Sequence, residues 1–190
     1  MSSLIFTQVG DVSVLYVLTL FCFCDVLSGA SFWSTREYET SEWYTETKRY
    51  TKITKRLPGA VFGLVWTALY ILVIASLYLV FTNATFDRTL DIIGMAFLVN
   101  IFMNKLWSSV FLTLRMPWAA MLIVLALNVL NGLILGYMWT GAYFNSFWIF
   151  MPYTIWCAFA LILNAEWLWA ERRLMRRKKC DATATPVMMS

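Results

Sequence analysis

The residue types that usually carry enzyme chemistry are scarce in this sequence. It has 190 residues and no histidine, and histidine is the commonest general base, zinc ligand and haem axial ligand. Histidine-dependent catalysis and histidine-ligated metals are therefore excluded. Among the remaining residues, no nucleophile with a base, no carboxylate pair and no metal cluster stands out. We expect a binding protein rather than an enzyme, with no metal and no resident cofactor.

Tryptophan is abundant instead, with ten copies. Six lie near the ends of apolar stretches, where tryptophan forms the aromatic belt of membrane proteins: Trp33, Trp118, Trp139, Trp148, Trp167 and Trp169. Three lie deeper, and each is followed one helical turn later by a residue on the same face: Trp66 by Tyr70, Trp107 by Phe111 and Trp156 by Ala160. Converging aromatic rings with a few polar atoms are typical of a small-molecule site. The pattern predicts a flat-walled apolar pocket.

Five apolar stretches must position these rings. Of the residues, 61% are hydrophobic and 14% are charged, whereas soluble domains are about 25% charged. Crossing the hydrocarbon core takes about 20 apolar residues, and the predicted spans are about 12–33, 60–81, 92–114, 118–139 and 145–170. The first stretch lacks the basic flank of a signal peptide. The sequence therefore predicts an all-α, polytopic membrane protein, with one bundle of five transmembrane helices over residues 1–190.

Basic residues predict the orientation of this bundle. Five spans put the long first loop, the third loop and the tail on one side with thirteen Lys and Arg residues, and leave only Arg88 on the other. The positive-inside rule then places the C-terminus and the basic tail, residues 171–190, in the cytosol. The net charge of +4 thus indicates membrane topology and contact with membrane lipids, not nucleic-acid binding.

Few polar side chains lie inside the spans, and hydrocarbon makes each costly unless it faces the bundle interior. They are Asp25, Asn100, Asn104, Lys105, Asn128, Asn131, Asn164 and Glu166. For the asparagines we favour interhelical hydrogen bonds over ligand contact. Glu166 is expected to form an interfacial ion pair with Arg172 or Arg173. For Asp25, a structural role and a functional role stay equally open.

Four blocks in order along residues 42–173 resemble the translocator proteins, also called tryptophan-rich sensory proteins or peripheral benzodiazepine receptors. The blocks are EWY at 42–44, PGAVFGLVWTALY at 58–70, NKLWSSVF at 104–111 with Arg115, and PYTIW at 152–156 with Ala160, Leu163 and Asn164. They resemble the family's Trp-Tyr pair in the first loop and its second-helix Pro and Trp-x-x-Leu-Tyr signature. The last two resemble its third-helix Asn-x-x-Trp-x-Pro-x-Phe block and its fifth-helix Pro-Tyr-x-x-Trp block.

This resemblance implies a five-helix membrane bundle with a pocket toward the first loop that binds tetrapyrroles such as protoporphyrin IX. In animal members the ligands include cholesterol and synthetic benzodiazepine-type compounds. The pocket residues implied by position are Trp43, Trp66, Tyr70, Trp107, Phe111, Trp156, Ala160 and Asn164. Some bacterial members are associated with oxidative porphyrin breakdown by two pocket tryptophans, which correspond to Trp66 and Trp156.

The resemblance also implies a homodimer, and it implies a location that depends on the source. A eukaryotic source implies the mitochondrial outer membrane, and a bacterial source implies the cell envelope. The spacing Gly132-x-x-x-Gly136 permits close helix approach within the bundle or in a dimer.

Three positions depart from the family pattern. The segment Lys55-Arg56-Leu57-Pro58 replaces a Trp-x-Pro-Pro motif, so the first loop is expected to close differently. Ser108 and Ser109 stand where a proline follows Trp107, which removes a helix kink. Ala165 stands where animal members carry a tyrosine in a cholesterol-contact motif, which makes cholesterol transport the least supported expectation.

Three functions are consistent with these residues. A sensor or carrier for tetrapyrroles and related flat lipophilic ligands, sterols among them, relies on stacking against Trp66, Trp107 and Trp156, at about 0.5–1.5 kcal/mol per aromatic pair beyond area burial. For this function, the basic segment 48–56 is expected to bind the propionate groups of the porphyrin. The alternatives are a tryptophan-dependent porphyrin photo-oxidase and a structural scaffold without a ligand. The resemblance favours the first.

Overall fold

The computed structural model describes residues 41–57, 59–83 and 88–184. They form a short helix α1 (Glu42–Arg49), a 3-10 turn (Thr54–Arg56) and four long helices. The long helices are α2 (Gly59–Asn83), α3 (Arg88–Ser108, followed by a π-helical turn over Ser109–Thr113), α4 (Pro117–Thr140) and α5 (Phe144–Ala184). The predicted span 12–33 with Trp33 and Asp25, the residue Pro58 and the last six residues of the predicted tail lie outside the described residues.

All four long helices are long and apolar enough to cross a membrane. Their candidate spans are Gly63–Asn83, Ile92–Thr113, Pro117–Thr140 and Phe144–Asp181. The described part of the chain contains no strand. The predicted fold class, an all-α polytopic membrane protein, is therefore confirmed. The helix α5 continues to Ala184, well beyond the predicted span end at residue 170, so most of the basic tail is a helical extension of α5.

The helix α1 lies within the predicted first loop and forms from local signals. Ser41 caps it, because its side-chain oxygen accepts a hydrogen bond from the backbone N–H of Tyr44 at 3.3 Å. Glu42 lies in its first turn, and Lys48 and Arg49 lie in its last. These charges complement the helix dipole at both ends. The loop therefore contains an ordered helical element.

Tight turns join α3 to α4 and α4 to α5. Arg115, between α3 and α4, adopts a left-handed backbone conformation with φ 53°. Pro117 is the first residue of α4, where a backbone N–H would have no partner within the helix, so the missing N–H of proline costs nothing. Ala142, between α4 and α5, has φ 59°, and the next N–H, that of Tyr143, donates to the Met138 carbonyl at 2.8 Å. Such short connections make successive helices antiparallel neighbours.

The packing of the helices is uneven. Backbones approach closely between α5 and α4, between α5 and α2, and between α3 and α4, whereas α3 and α2 share few close approaches. The main core joins side chains of all four helices: Leu69, Val73, Leu77, Val80, Ile93, Phe97, Leu127, Ile134, Met138, Phe150, Tyr153 and Cys157. Because α3 stands apart from α2, long side chains are needed to bridge that gap.

Asparagines tie the helices together at the depth of the membrane. The Asn100 amide donates to the Asn131 side-chain oxygen, which links α3 to α4. The Asn128 amide donates to the Cys157 backbone carbonyl at 3.2 Å, which links α4 to α5. Both Asn100 and Asn131 are fully buried. These are the interhelical hydrogen bonds expected for asparagines inside spans.

Candidate functional site

Four large rings meet between α2, α3 and α5. The Trp66 ring stacks on Tyr70 at 5.6 Å between centroids and lies edge-on to Trp156 at 6.3 Å. It also lies 6.5 Å from Trp107 on α3. We call Trp66, Tyr70, Trp107 and Trp156 the membrane cluster. All four belong to the predicted site, and the structure brings them into contact although they come from three helices.

Hydrogen bonds fix the rings that flank Trp66. The Tyr70 hydroxyl donates to the Asn104 side-chain oxygen at 2.6 Å, and the Asn104 amide donates to the Tyr153 hydroxyl at 3.2 Å. Tyr153 donates in turn to Asn100 at 2.7 Å, and its ring lies edge-on to Trp66 at 6.3 Å. This chain of neutral hydrogen bonds orients the membrane cluster, and Asn104 and Tyr153 are contributors that the predicted site omitted.

Asn164 and Ala160 extend the site along α5. The Trp107 indole N–H donates to the Asn164 side-chain oxygen at 3.3 Å, and the Asn164 amide donates to the Pro117 carbonyl at 3.0 Å. Ala160 is buried one turn before Asn164 and one turn after Trp156. Asn164 therefore orients an indole ring, so its hydrogen-bonding capacity is directed at the protein in this structure.

A second group of rings lies on the side of the first loop. The Trp167 ring stacks on Tyr44 at 5.1 Å and lies 5.4 Å from Trp43 and 5.5 Å from Phe111. We call Trp43, Tyr44, Phe111 and Trp167 the loop cluster. Phe111 also stacks on Trp107 at 5.5 Å with an angle of 16° between the rings. The two clusters therefore form one continuous series of ring contacts.

Trp167 is the clearest correction to the sequence-based assignment. Its position near the end of a span predicts a belt residue, but only 1% of it is exposed. The reason is that α1 docks over it, so that a ring near the membrane boundary becomes a core residue. Four other predicted belt residues are exposed: Trp118, Trp139, Trp148 and Trp169. Among the described residues, the Trp167 indole N–H has no hydrogen-bond acceptor.

Glu166 also differs from its predicted role. Its carboxylate accepts hydrogen bonds from the backbone N–H groups of Lys52, Ile53 and Thr54, and from the Thr54 hydroxyl at 2.9 Å. Among the described residues, Lys178 and Glu46 form an ion pair but Glu166 forms none with Arg172 or Arg173, so that expectation is wrong. The reason is physical, because three consecutive backbone donors converge on one carboxylate. Glu166 ties the loop after α1 to α5.

Further polar contacts hold α1 along the same helix. The Trp43 indole N–H donates to Glu171 at 3.0 Å, and Lys178 forms an ion pair with Glu46 at 2.7 Å. The docking face consists of Trp167, Glu171, Leu174 and Lys178. Their spacing of three and four residues puts them on one side of a helix, and this spacing was the available signal for the docking.

The backbone of α3 is irregular where the family resemblance predicts the loss of a kink. Ser109–Thr113 forms a π-helical turn, and the Leu114 N–H donates to the Ser109 carbonyl at 3.1 Å. The absence of proline after Trp107 has therefore not produced a regular α-helix to the end of the span. π-helical turns occur frequently at functional sites, and this one carries Phe111 in the contact between the two clusters.

The assembled residues offer planar apolar surface with a small number of N–H and O–H groups. Within the described ranges, no three cysteine, aspartate or glutamate side chains are grouped to hold a metal ion. The arrangement suits stacking on a flat lipophilic molecule, with orientation supplied by the few polar atoms.

Comparison with known proteins gives consistent matches. Residues 17–170 match the profile of the TspO/MBR family. The chain is 29% identical over 107 residues to the tryptophan-rich protein TspO of Archaeoglobus fulgidus, which covers 56% of this chain and 67% of the relative. It is 30% identical over 156 residues to protein CrtK of Rhodobacter capsulatus, which covers 77% of this chain and 89% of the relative.

Proposed function

Since the chain belongs to the TspO/MBR family, we propose that it is an integral membrane binding protein for tetrapyrroles such as protoporphyrin IX. Related flat lipophilic ligands, sterols among them, belong to the same proposed class. The observation that carries the proposal is the continuous series of ring contacts from Trp156 through Trp66 and Trp107 to Phe111. A conjugated macrocycle has large flat faces, and such faces gain most from stacking on rings of this kind.

Ligand binding at this place has a defined structural cost. Neighbouring rings of the membrane cluster already contact one another, so a ligand placed between two of them must replace a ring-to-ring contact. The contact that each ring loses is replaced by contact with the ligand, and the large apolar faces of the macrocycle favour the bound state. The loop cluster lies directly next to the membrane cluster, so we place the ligand entrance on that side.

The first test is a titration of the detergent-purified protein with protoporphyrin IX in the dark. Porphyrin absorbance and tryptophan fluorescence are both followed, for the wild type and for Trp66→Phe and Trp156→Phe. We expect saturable binding that both substitutions weaken severalfold. Trp148→Phe is the matched control, because Trp148 lies on α5 with 63% of its surface exposed. A response that does not saturate, in folded protein, would overturn the proposal and leave the scaffold function.

Contact between Trp66 and Trp156 supports a second candidate, a porphyrin photo-oxidase. Their rings lie edge-on with 6.3 Å between centroids. This distance is short enough for an electron to pass from one indole to the oxidised other. Repeating the titration under light with dissolved dioxygen as the oxidant separates the two functions. If the protein is a photo-oxidase, the porphyrin absorbance of the sample falls over time under light. This fall is absent in Trp66→Phe and Trp156→Phe. A binding protein shows no more loss than free porphyrin.

We also propose that the C-terminus faces the cytosol, because the basic first loop and the basic extension of α5 fall on one side of the membrane. Cys180 is exposed and Cys157 is buried, which allows a direct test in intact cells. In intact cells, a membrane-impermeant maleimide should label the wild type and Cys180→Ser equally. After the cells are opened, the wild type should be labelled more strongly, because Cys180 becomes accessible. We further propose that the protein forms a homodimer, and that it lies in the mitochondrial outer membrane or in a bacterial cell envelope.

A further inference from the structure

Lys105 places a positive charge beside the membrane cluster. It belongs to the candidate span Ile92–Thr113, and its ammonium group lies 4.4 Å from the centre of the Tyr70 ring. Tyr70 is the ring on which Trp66 stacks, and its hydroxyl donates to Asn104, the residue before Lys105. The side chain is half-buried. The cation is therefore part of the surroundings of the proposed ligand.

A lysine in a membrane span is costly, and the cost usually marks a binding function. An aromatic face attracts a cation, so Tyr70 holds the ammonium group at the edge of the membrane cluster. Away from bulk water, the attraction between this ammonium group and a carboxylate is much stronger than at a solvated surface. Lys105 thus favours an anionic group on any ligand that stacks on Trp66.

We propose that Lys105 determines ligand charge, by pairing with a carboxylate of the bound molecule. The site then selects tetrapyrroles that carry carboxylate side chains over neutral flat ligands such as sterols. The inference rests on the proposed binding function and deepens it, because it names the chemical feature of the ligand that the site recognises. Stacking supplies the affinity for the macrocycle, and Lys105 supplies the preference for its acidic edge.

The basic loop is the competing source of positive charge. The Lys48 ammonium group lies 5.2 Å from the centre of the Tyr44 ring, so it has the same type of contact but belongs to the loop cluster. Lys52 and Lys55 are exposed on the loop, where water and salt weaken ion pairs. Lys105, by contrast, contacts a ring of the membrane cluster itself. Lys48 is therefore the matched control.

The experiment compares two probes that share one macrocycle. Protoporphyrin IX carries two propionic acid groups, and its dimethyl ester carries none. Each is titrated into the wild type, Lys105→Gln, Lys105→Arg and Lys48→Gln in detergent at neutral pH and constant salt. We expect the wild type to prefer the free acid and Lys105→Gln to bind it about tenfold more weakly, a change of about 1.4 kcal/mol. Binding of the ester stays unchanged, Lys105→Arg retains the preference, and Lys48→Gln behaves as the wild type.

The other outcomes overturn the inference in distinguishable ways. Equal loss of both probes in Lys105→Gln would make Lys105 a packing residue for Tyr70. Selective loss in Lys48→Gln alone would assign the carboxylate to the loop. A wild type that binds the ester as tightly as the acid overturns the inference and leaves the proposed function intact, even if Lys105→Gln does not fold. A wild type that binds neither probe overturns both.

Discussion

The two aromatic clusters use the same kinds of ring, but different interactions hold them in place. Neutral hydrogen bonds among Tyr70, Asn104 and Tyr153 orient the membrane cluster. Carboxylates hold the loop cluster, since Glu171 accepts a hydrogen bond from Trp43 and Glu166 accepts several from the loop backbone. The stacked pair Trp107 and Phe111 joins them. The hydrogen bonds of the membrane cluster therefore join neutral groups, whereas those of the loop cluster end on carboxylates.

This difference determines which cluster yields first. In hydrocarbon, a polar group that loses its partner finds no water to replace it, so the hydrogen bonds around Asn104 oppose any rearrangement of the membrane cluster. The contacts of Lys52 and Ile53 with Glu166 are exposed, and water can substitute for a lost partner there. We therefore expect the loop cluster to open first, before any rearrangement of the membrane cluster.

The largest effect is expected from Trp167→Ala, which removes the centre of the loop cluster. Truncating a fully buried tryptophan lowers the free energy of unfolding by about 3–5 kcal/mol, and α1 loses its main apolar contact. The thermal unfolding midpoint should fall, and trypsin should cleave after Lys52 and Lys55 more quickly. Trp169→Ala, at a position with 41% of its surface exposed, is the control. Equal effects of the two substitutions would contradict the assignment of Trp167 to a core.

A smaller effect on the other cluster is expected from Asn100→Leu. The substitution removes the acceptor of the Tyr153 O–H and the donor to the Asn131 side-chain oxygen, at a cost of about 1–3 kcal/mol. Thermal unfolding in detergent measures this cost, and the rate of trypsin cleavage in the loop should not change. Asn145→Leu is the matched control, because Asn145 is exposed on α5. Faster loop cleavage in Asn100→Leu would show that the two clusters do not respond separately.

Glu166→Gln should loosen the loop by about 1 kcal/mol, because a neutral amide oxygen accepts backbone N–H groups more weakly than a carboxylate does. Hydrogen exchange at residues 52–54 is the direct measurement, since their N–H groups are the ones released. Glu171→Gln alters the acceptor of the Trp43 indole and should leave those N–H groups protected. Unchanged exchange in Glu166→Gln would mean that apolar packing alone holds the loop.

The smallest effect is expected from Lys178→Gln. The Lys178–Glu46 ion pair is short, at 2.7 Å, but 59% of the Lys178 side chain is exposed, and such pairs contribute little to stability in water. We expect no measurable shift of the unfolding midpoint and no change in loop cleavage. A clear shift would show that the charged contacts along α5 act together rather than singly.

The sequence predicts the four described spanning helices well, because a spanning helix is recognised mainly from its local hydropathy. It does not predict α1, because the segment Glu42–Arg49 is polar and carries no apolar run. A capping serine was its main local signal, and that signal says nothing about where the helix docks. The extension of α5 to Ala184 was also not predicted, since charged residues lower the hydropathy without disfavouring helix.

Site residues were predictable to the extent that their partners lie on the same helix. The four-residue spacing of Trp66 and Tyr70 predicts a shared face, and the two rings do stack. Asn104 was assigned to interhelical bonding in general, but the sequence does not show that its partners are Tyr70 and Tyr153. The prediction for Trp167 is wrong for the same reason. Its burial depends on contact with α1, a segment more than a hundred residues earlier in the chain.

The continuity of α5 has a mechanical consequence. One uninterrupted helix carries the ring of Trp156 near the proposed ligand and the arginines of the extension that ends at Ala184. From Asn164 to Ala184 the helix is about 30 Å long, so a tilt of about 5° around Asn164 moves the far end sideways by about 3 Å. Such a rod acts as a lever, so a small adjustment around a bound ligand would become a larger sideways displacement of the C-terminal end.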